Sequence, residues 1–207
     1  DYCANVPLER LECIRQALEL NRAISADGLT RDQGLAIGRL IRSSIDQGLL
    51  SDDLMTHAMA STAAATDARM AGSGLSVMSN SGSGNQGLSA TLPVVAAWEK
   101  LGRPEEELVR AVALSNLVTI QLKQAFGKLS ALCGVVLAAT GAACGITRLL
   151  SGDPENAKIA IHNVIGNVTG MVCDGAKGDC ALKVSTCTAA AVQAALMAAR
   201  GQRIPAI

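Results

Sequence analysis

Between Lys128 and Arg148 the chain carries no charge. Residues 129–146, LSALCGVVLAATGAACGI, are small or apolar almost throughout. As a helix, this stretch approaches the ~20 residues that span a bilayer. It is rich in Ala and Gly but poor in Leu, Ile and Phe, whereas lipid-facing helices are greasier. It reads instead as a central helix buried on all sides, which other helices must surround. Small side chains let those neighbours approach closely.

The rest of the composition agrees. Only Tyr2, Trp98 and Phe126 are aromatic, so aromatic-rich strands and base-stacking surfaces are both absent. Lys+Arg 18 balances Asp+Glu 18, which leaves no basic field for nucleic acid or anionic lipid. A length of 207 residues suffices for a sizeable core. The expected fold is all-α, a single domain over residues 1–207 with eight to nine helices around the central one.

Helix punctuation recurs along the chain. Pro7 opens a helix whose Leu11, Ile14 and Leu18 share a face. Thr30-Arg31-Asp32-Gln33 has the form of a capping box ahead of Ile37, Ile41 and Ile45, with Gly48 ending that helix. Ser51 can cap the next, which runs to about Met70. Pro104 with Glu105–Glu107, and Asp153-Pro154, each mark a further start. A last helix runs from about Ser185 to Arg200. No segment alternates with period two between hairpin turns, so strands have no support.

Two stretches interrupt this pattern: AGSGLSVMSNSGSGNQG at 71–87 and CDGAKGDC at 173–180. Gly82, Gly84 and Gly87 spell G-x-G-x-x-G, but no strand precedes them and no parallel-sheet pattern follows, which argues against dinucleotide binding. The segment is either a flexible linker or a loop that holds a substrate carboxylate at the start of the next helix. In the second case Asn80, Ser81, Ser83, Gly84, Asn85 and Gly87 are the candidate substrate-binding residues.

Seven cysteines suit a reducing, cytoplasmic setting, in which thiols pack as small hydrophobes or bind metals. Residues 1–20 carry four acidic and two basic side chains and lack the apolar core of a secretory signal. Cys133 and Cys144, if both helical, lie about 16 Å apart along the axis and cannot share one centre unless the helix breaks at Gly134 or Gly141. Cys173 and Cys180 flank a turn holding Gly175 and Gly178, a spacing able to converge on a metal but equally open to packing.

The strings SNSGSGNQGLSATLPV, GKLSALCGVVLAATGAACG and IGNVTGMVCDGAKGDCALK together resemble the serine dehydratase alpha-chain-like family, and more closely its L-cysteine desulfidase branch. The resemblance covers about residues 65–195, with the three motifs in family order. It implies an oxygen-sensitive [4Fe–4S] lyase with three cysteine ligands and one open iron, eliminating the β-substituent of L-cysteine or L-serine. Carried over by motif, the ligands are Cys133, Cys173 and Cys180, while Cys3, Cys13, Cys144 and Cys187 match none and read as packing residues. A cation beside the substrate carboxylate would stabilise carbanion character, which points to Lys177, Lys183 and Lys128 as catalytic candidates. Neither Asp174 nor His162 is assigned as the base.

The desulfidase branch also carries a cysteine-containing motif near its N-terminus that this sequence lacks. The resemblance therefore implies the C-terminal, cluster-binding part of a larger enzyme, inactive alone. Its partners would be a small amino-acid substrate, the missing N-terminal part and a second copy in a homodimer. A non-catalytic helical subunit or assembly domain with buried structural cysteines is the competing reading.

Overall fold

The computed structural model describes residues 2–127 and 130–205. Among these residues it is all-α, with nine α-helices and no strand. The helices are α1 (Tyr2–Asn5), α2 (Glu12–Thr30), α3 (Ile37–Asp46), α4 (Leu54–Met70), α5 (Gly84–Leu101), α6 (Glu105–Phe126), α7 (Gly134–Ser151), α8 (Pro154–Asn167) and α9 (Cys180–Ala198), with a 3-10 turn at Leu8–Leu11.

Helix α7 is the expected central element. It packs against α5, α6, α8 and α9, and Leu137, Ile146 and Leu149 are almost wholly buried, each contributing about 1.5–3 kcal/mol of burial. By length and composition α7 and α9 could each cross a membrane, but 78% of the α7 window and 56% of the α9 window lie inside the protein. Little of α7 is left to face lipid.

Small residues set the helix spacing. A Cβ added at Gly141 would lie 2.2 Å from the Ser115 carbonyl oxygen on α6, and one at Gly145 would lie 2.8 Å from that of Ala111. The two backbones are thus in contact along one groove. Ala64 of α4 is wedged in the same way between Gly28 of α2 and Gly38 of α3. Within α5, Pro93 removes one intrahelical donor, and one turn earlier the Ser115 hydroxyl donates to the Ala90 carbonyl at 2.6 Å. Arg110 clasps the N-terminal segment onto α6 through the carbonyls of Cys3 and Val6, both at 3.0 Å.

Several helix starts follow the sequence reading. Asp153 caps α8 by accepting the Glu155 N–H at 2.9 Å, with Pro154 in the first turn. Pro104 precedes α6, whose first turn holds Glu105–Glu107. Others differ. Thr30 is no cap but the last residue of α2, its hydroxyl folded back onto Ala26 and Asp27. Cap of α4 is Asp53, in a reciprocal box with Thr56, rather than Ser51. Helix α9 begins at Cys180, one turn ahead of Ser185, and α5 absorbs GNQG.

Candidate functional site

Two segments remote in sequence are zipped together at one end of α7. The Cys133 N–H donates to the Met171 carbonyl at 2.9 Å and the Cys173 N–H to the Ala131 carbonyl at 2.7 Å, making an isolated antiparallel bridge between Leu132 and Val172. In such a pairing Cys133 and Cys173 are diagonal neighbours on one face, ~7 Å apart. Cys133 is buried at the N-cap of α7, and Cys173 is exposed.

Cys180 closes the intervening turn. Its backbone N–H donates to the Lys177 carbonyl at 2.9 Å, and its sulfur lies 3.5 Å from the Lys177 N–H and 3.6 Å from the Gly175 carbonyl. Burial pushes the Cys133 thiol up; Cys173 and Cys180 add to that, while the Val135 N–H and Lys183 oppose it. Cys173 and Cys180 therefore each lie within electrostatic reach of Cys133. Among the described residues, no three His, Cys, Asp or Glu side chains are gathered tightly enough to hold one metal ion.

The remaining cysteines separate. Cys144 points away, donating to the Ala157 carbonyl on α8 at 3.3 Å, and burial pushes it up to about 12. Cys3 is buried, but Cys13 is exposed and so is not a packing residue. Cys187 is buried 3.6 Å from the Met171 sulfur and pushed up to about 12 by burial, with Cys133 adding to it. It is the fourth thiol of this corner, one that motif matching passed over.

The lysines of the turn are paired. Asp174 binds Lys177 at 2.6 Å and also Lys183, which lies 3.7 Å from Asp179. Lys177 first, then Lys183, holds the Asp174 carboxyl well below the usual carboxylate range. The Lys183 side chain is 21% exposed and that of Lys177 54%, so Lys183 is the more buried of the two, and it is Lys183 whose charge is felt at Cys133. Lys128 lies outside the described residues. His162 is exposed on α8.

The polar segment before α5 is a defined turn, not a linker. Asn80 and Ser83 exchange backbone hydrogen bonds at 3.0 and 3.1 Å, with Ser81 at φ +50° and Gly82 at φ +82°, the geometry of a type I′ turn. The Asn80 side chain donates to the Asn116 side chain at 2.9 Å and accepts from Gln86 at 3.2 Å and Ser81 at 2.8 Å. Ser83 caps α5, its hydroxyl accepting the Gln86 N–H at 3.3 Å.

Ser81 and Gly82 are exposed, whereas Gly84, Asn85 and Gly87 are buried in the first turn of α5. The Arg69 guanidinium lies over Gly84 and donates to Asn85 at 3.0 Å, and Gly87 packs on the Met78 carbonyl. Gln86 rests on Gly134, the residue after Cys133. The turn and the cysteine corner are therefore linked through Gln86. Asn116, Gln86 and Arg69 carried no signal in the sequence, since each is defined only by its long-range partner.

Comparison with known proteins gives a consistent answer. The family described as serine dehydratase alpha chain matches residues 3–207. A UPF0597 protein of Bacteroides fragilis is 45% identical over 207 residues, 100% of this chain and 48% of its own length. The UPF0597 protein of Oleidesulfovibrio alaskensis is 48% identical over 201 residues, 97% of this chain and 47% of its own length. That of Porphyromonas gingivalis is 48% identical over 198 residues, 96% and 46% respectively. The chain thus spans about half the length of the curated relatives it matches. No solved structure matches it. On the match to nearly its whole length, this chain belongs to the serine dehydratase alpha chain family.

Proposed function

We propose that the chain is the C-terminal, cluster-binding part of a cytoplasmic lyase of the L-cysteine desulfidase branch, acting on L-cysteine or L-serine. The Cα–H and Cβ–S or Cβ–O bonds break, a Cα=Cβ bond forms, and sulfide or water leaves. The resulting 2-aminoacrylate hydrolyses to pyruvate and ammonia.

The observation that carries this reading is the meeting of Cys133, Cys173 and Cys180 at one corner, two of them tied by the Leu132–Val172 bridge. The donor set has the chemistry of a cluster site: three soft thiols, each of which could take a different iron of a [4Fe–4S] group. Such a cluster would supply a Lewis-acidic iron for the substrate's β-substituent. Lys183, half-buried between Asp174 and Asp179, offsets negative charge at the thiols. The Asn80–Ser83 turn, held to the same corner through Gln86, orients the substrate. The other half of the relatives' length would complete the site.

The test is anaerobic iron–sulfide reconstitution followed by a pyruvate assay of the complete protein. The expected result is about four irons per chain and pyruvate release from L-cysteine above that from L-serine. Absence of iron uptake, or uptake that survives replacing Cys133, Cys173 and Cys180 together, returns the chain to a non-catalytic assembly role.

A further inference from the structure

A cavity of about 560 Å³ opens between the Asn80–Ser83 turn and the last turns of α6, lined by Ser81, Ile120, Lys123, Gln124 and Gly127. Asn116, Ile120 and Lys123 follow one another at helical spacing along the face of α6 that the turn touches, since Asn116 is the residue that binds Asn80. Lys123 is half-buried. Among the described residues it has neither an ion pair nor a hydrogen bond.

Among the described residues, the other cations near the site are engaged. Lys177 and Lys183 share Asp174, and Lys183 also faces Asp179. Arg69 is packed over Gly84 and bonded to Asn85. A cation held half out of water without a counter-charge is a standing attraction for an anion, and the reduced local dielectric strengthens it. Beside it, the Ser81 hydroxyl spends its proton on Asn80, so it can accept from a ligand ammonium. A cation and an acceptor across one cavity suit a zwitterionic α-amino acid. Ser81, in the cavity wall, is tied to the cysteine corner by successive contacts through Asn80, Gln86 and Gly134.

We propose that Lys123 is the anchor for the α-carboxylate of the amino-acid substrate, in place of Lys177. This rests on the lyase reading above, and two independent measurements separate the two. The first is peptide-mapped labelling of the Lys123 amine by trinitrobenzenesulfonate, with and without saturating L-serine, which needs no turnover and no variant. The second is steady-state kinetics of the cluster-loaded complete protein carrying Lys123→Met or Lys123→Arg, at matched iron content.

L-serine is expected to slow labelling of Lys123 at least threefold. Lys123→Met is expected to raise KM at least tenfold with kcat changed less than threefold, and Lys123→Arg to restore most of the affinity. Labelling indifferent to L-serine, with Lys123→Met at wild-type KM, overturns the anchor while an active wild type keeps the lyase reading. Protection of Lys123 in a cluster-loaded protein that releases no pyruvate supports the anchor and removes the lyase.

Discussion

Gln86 of α5 and Gly134 of α7 meet so closely that a Cβ on Gly134 would lie 2.4 Å from the Gln86 side-chain oxygen. Gln86 is itself buried and donates to Asn80, so it has little freedom to retreat. Gly134→Ala should therefore strain the link between the turn and the cysteine corner. The expected loss is about 1–2 kcal/mol in urea unfolding, with substrate binding weakened severalfold. Wild-type unfolding and KM together would mean that the contact relaxes freely.

Cys133 and Cys144 lie at the start and in the middle of α7, and their replacement should separate two roles. Cys144 is wholly buried against α8, so Cys144→Ala is expected to lose about 1–2 kcal/mol of stability while retaining iron uptake. Cys133→Ala should do the reverse, abolishing iron uptake with a smaller change in the melt. Iron content and thermal unfolding of both variants decide it.

Asp174 fastens the turn by holding Lys177 and Lys183 at once. Asp174→Asn removes the charge that both lysines share. Amide exchange across residues 174–179 should then accelerate several-fold, with α7 unaffected. Equal exchange rates in the variant and the wild type would show that the backbone contacts of Cys180 hold the turn alone.

Far from this corner, Glu99 accepts from His57 at 2.9 Å and pairs with Arg22 at 3.2 Å. The hydrogen bond from His57, acting against burial, holds the Glu99 carboxyl below its ordinary value. Its folded pKa is thus lower than its unfolded value of ~4.3. The stabilisation is complete above that value and disappears as pH falls through the folded one. Glu99→Gln should be less stable at neutral pH by about 1 kcal/mol at most, since the pair is partly exposed, and should converge with wild type in acid. Urea midpoints across the acid range measure this.

The sequence made the centre of this fold legible because burial on every side is itself a local signal. An uncharged Ala/Gly run can be little else, and α7 is central as expected, although it spans Gly134–Ser151, five residues later than the 129–146 run, with Cys133 as its N-cap. Asp153-Pro154 was equally plain, because a cap and its proline act within one turn. Thr30 misled because α2 runs up to it and ends there, carried by the contact of Gly28 with Ala64, which local composition does not encode. GNQG looked like loop for the same reason: its glycines answer to Arg69 on α4 and to the Met78 carbonyl, both outside the motif. At the candidate site the three cysteines could be named from motif, but the Leu132–Val172 bridge that joins two of their segments is a long-range pairing without periodicity. Lys123 had no motif at all, only the lack of an acid beside it.

The interior of α4 and α9 is built largely on alanine, with Ala58, Ala63, Ala64, Ala65 and Ala68 facing inward on one and Ala181, Ala191, Ala195 and Ala198 on the other. Alanine surrenders no rotamer freedom when it is buried, so these helices are ordered without the entropy that long side chains would forfeit. Equally, such an interior has no torsions to readjust when a neighbour changes. On the proposed reading, new substrate preferences would arise at the helix ends, around Ser81, Lys123 and the 173–180 turn, rather than along these alanine-lined faces.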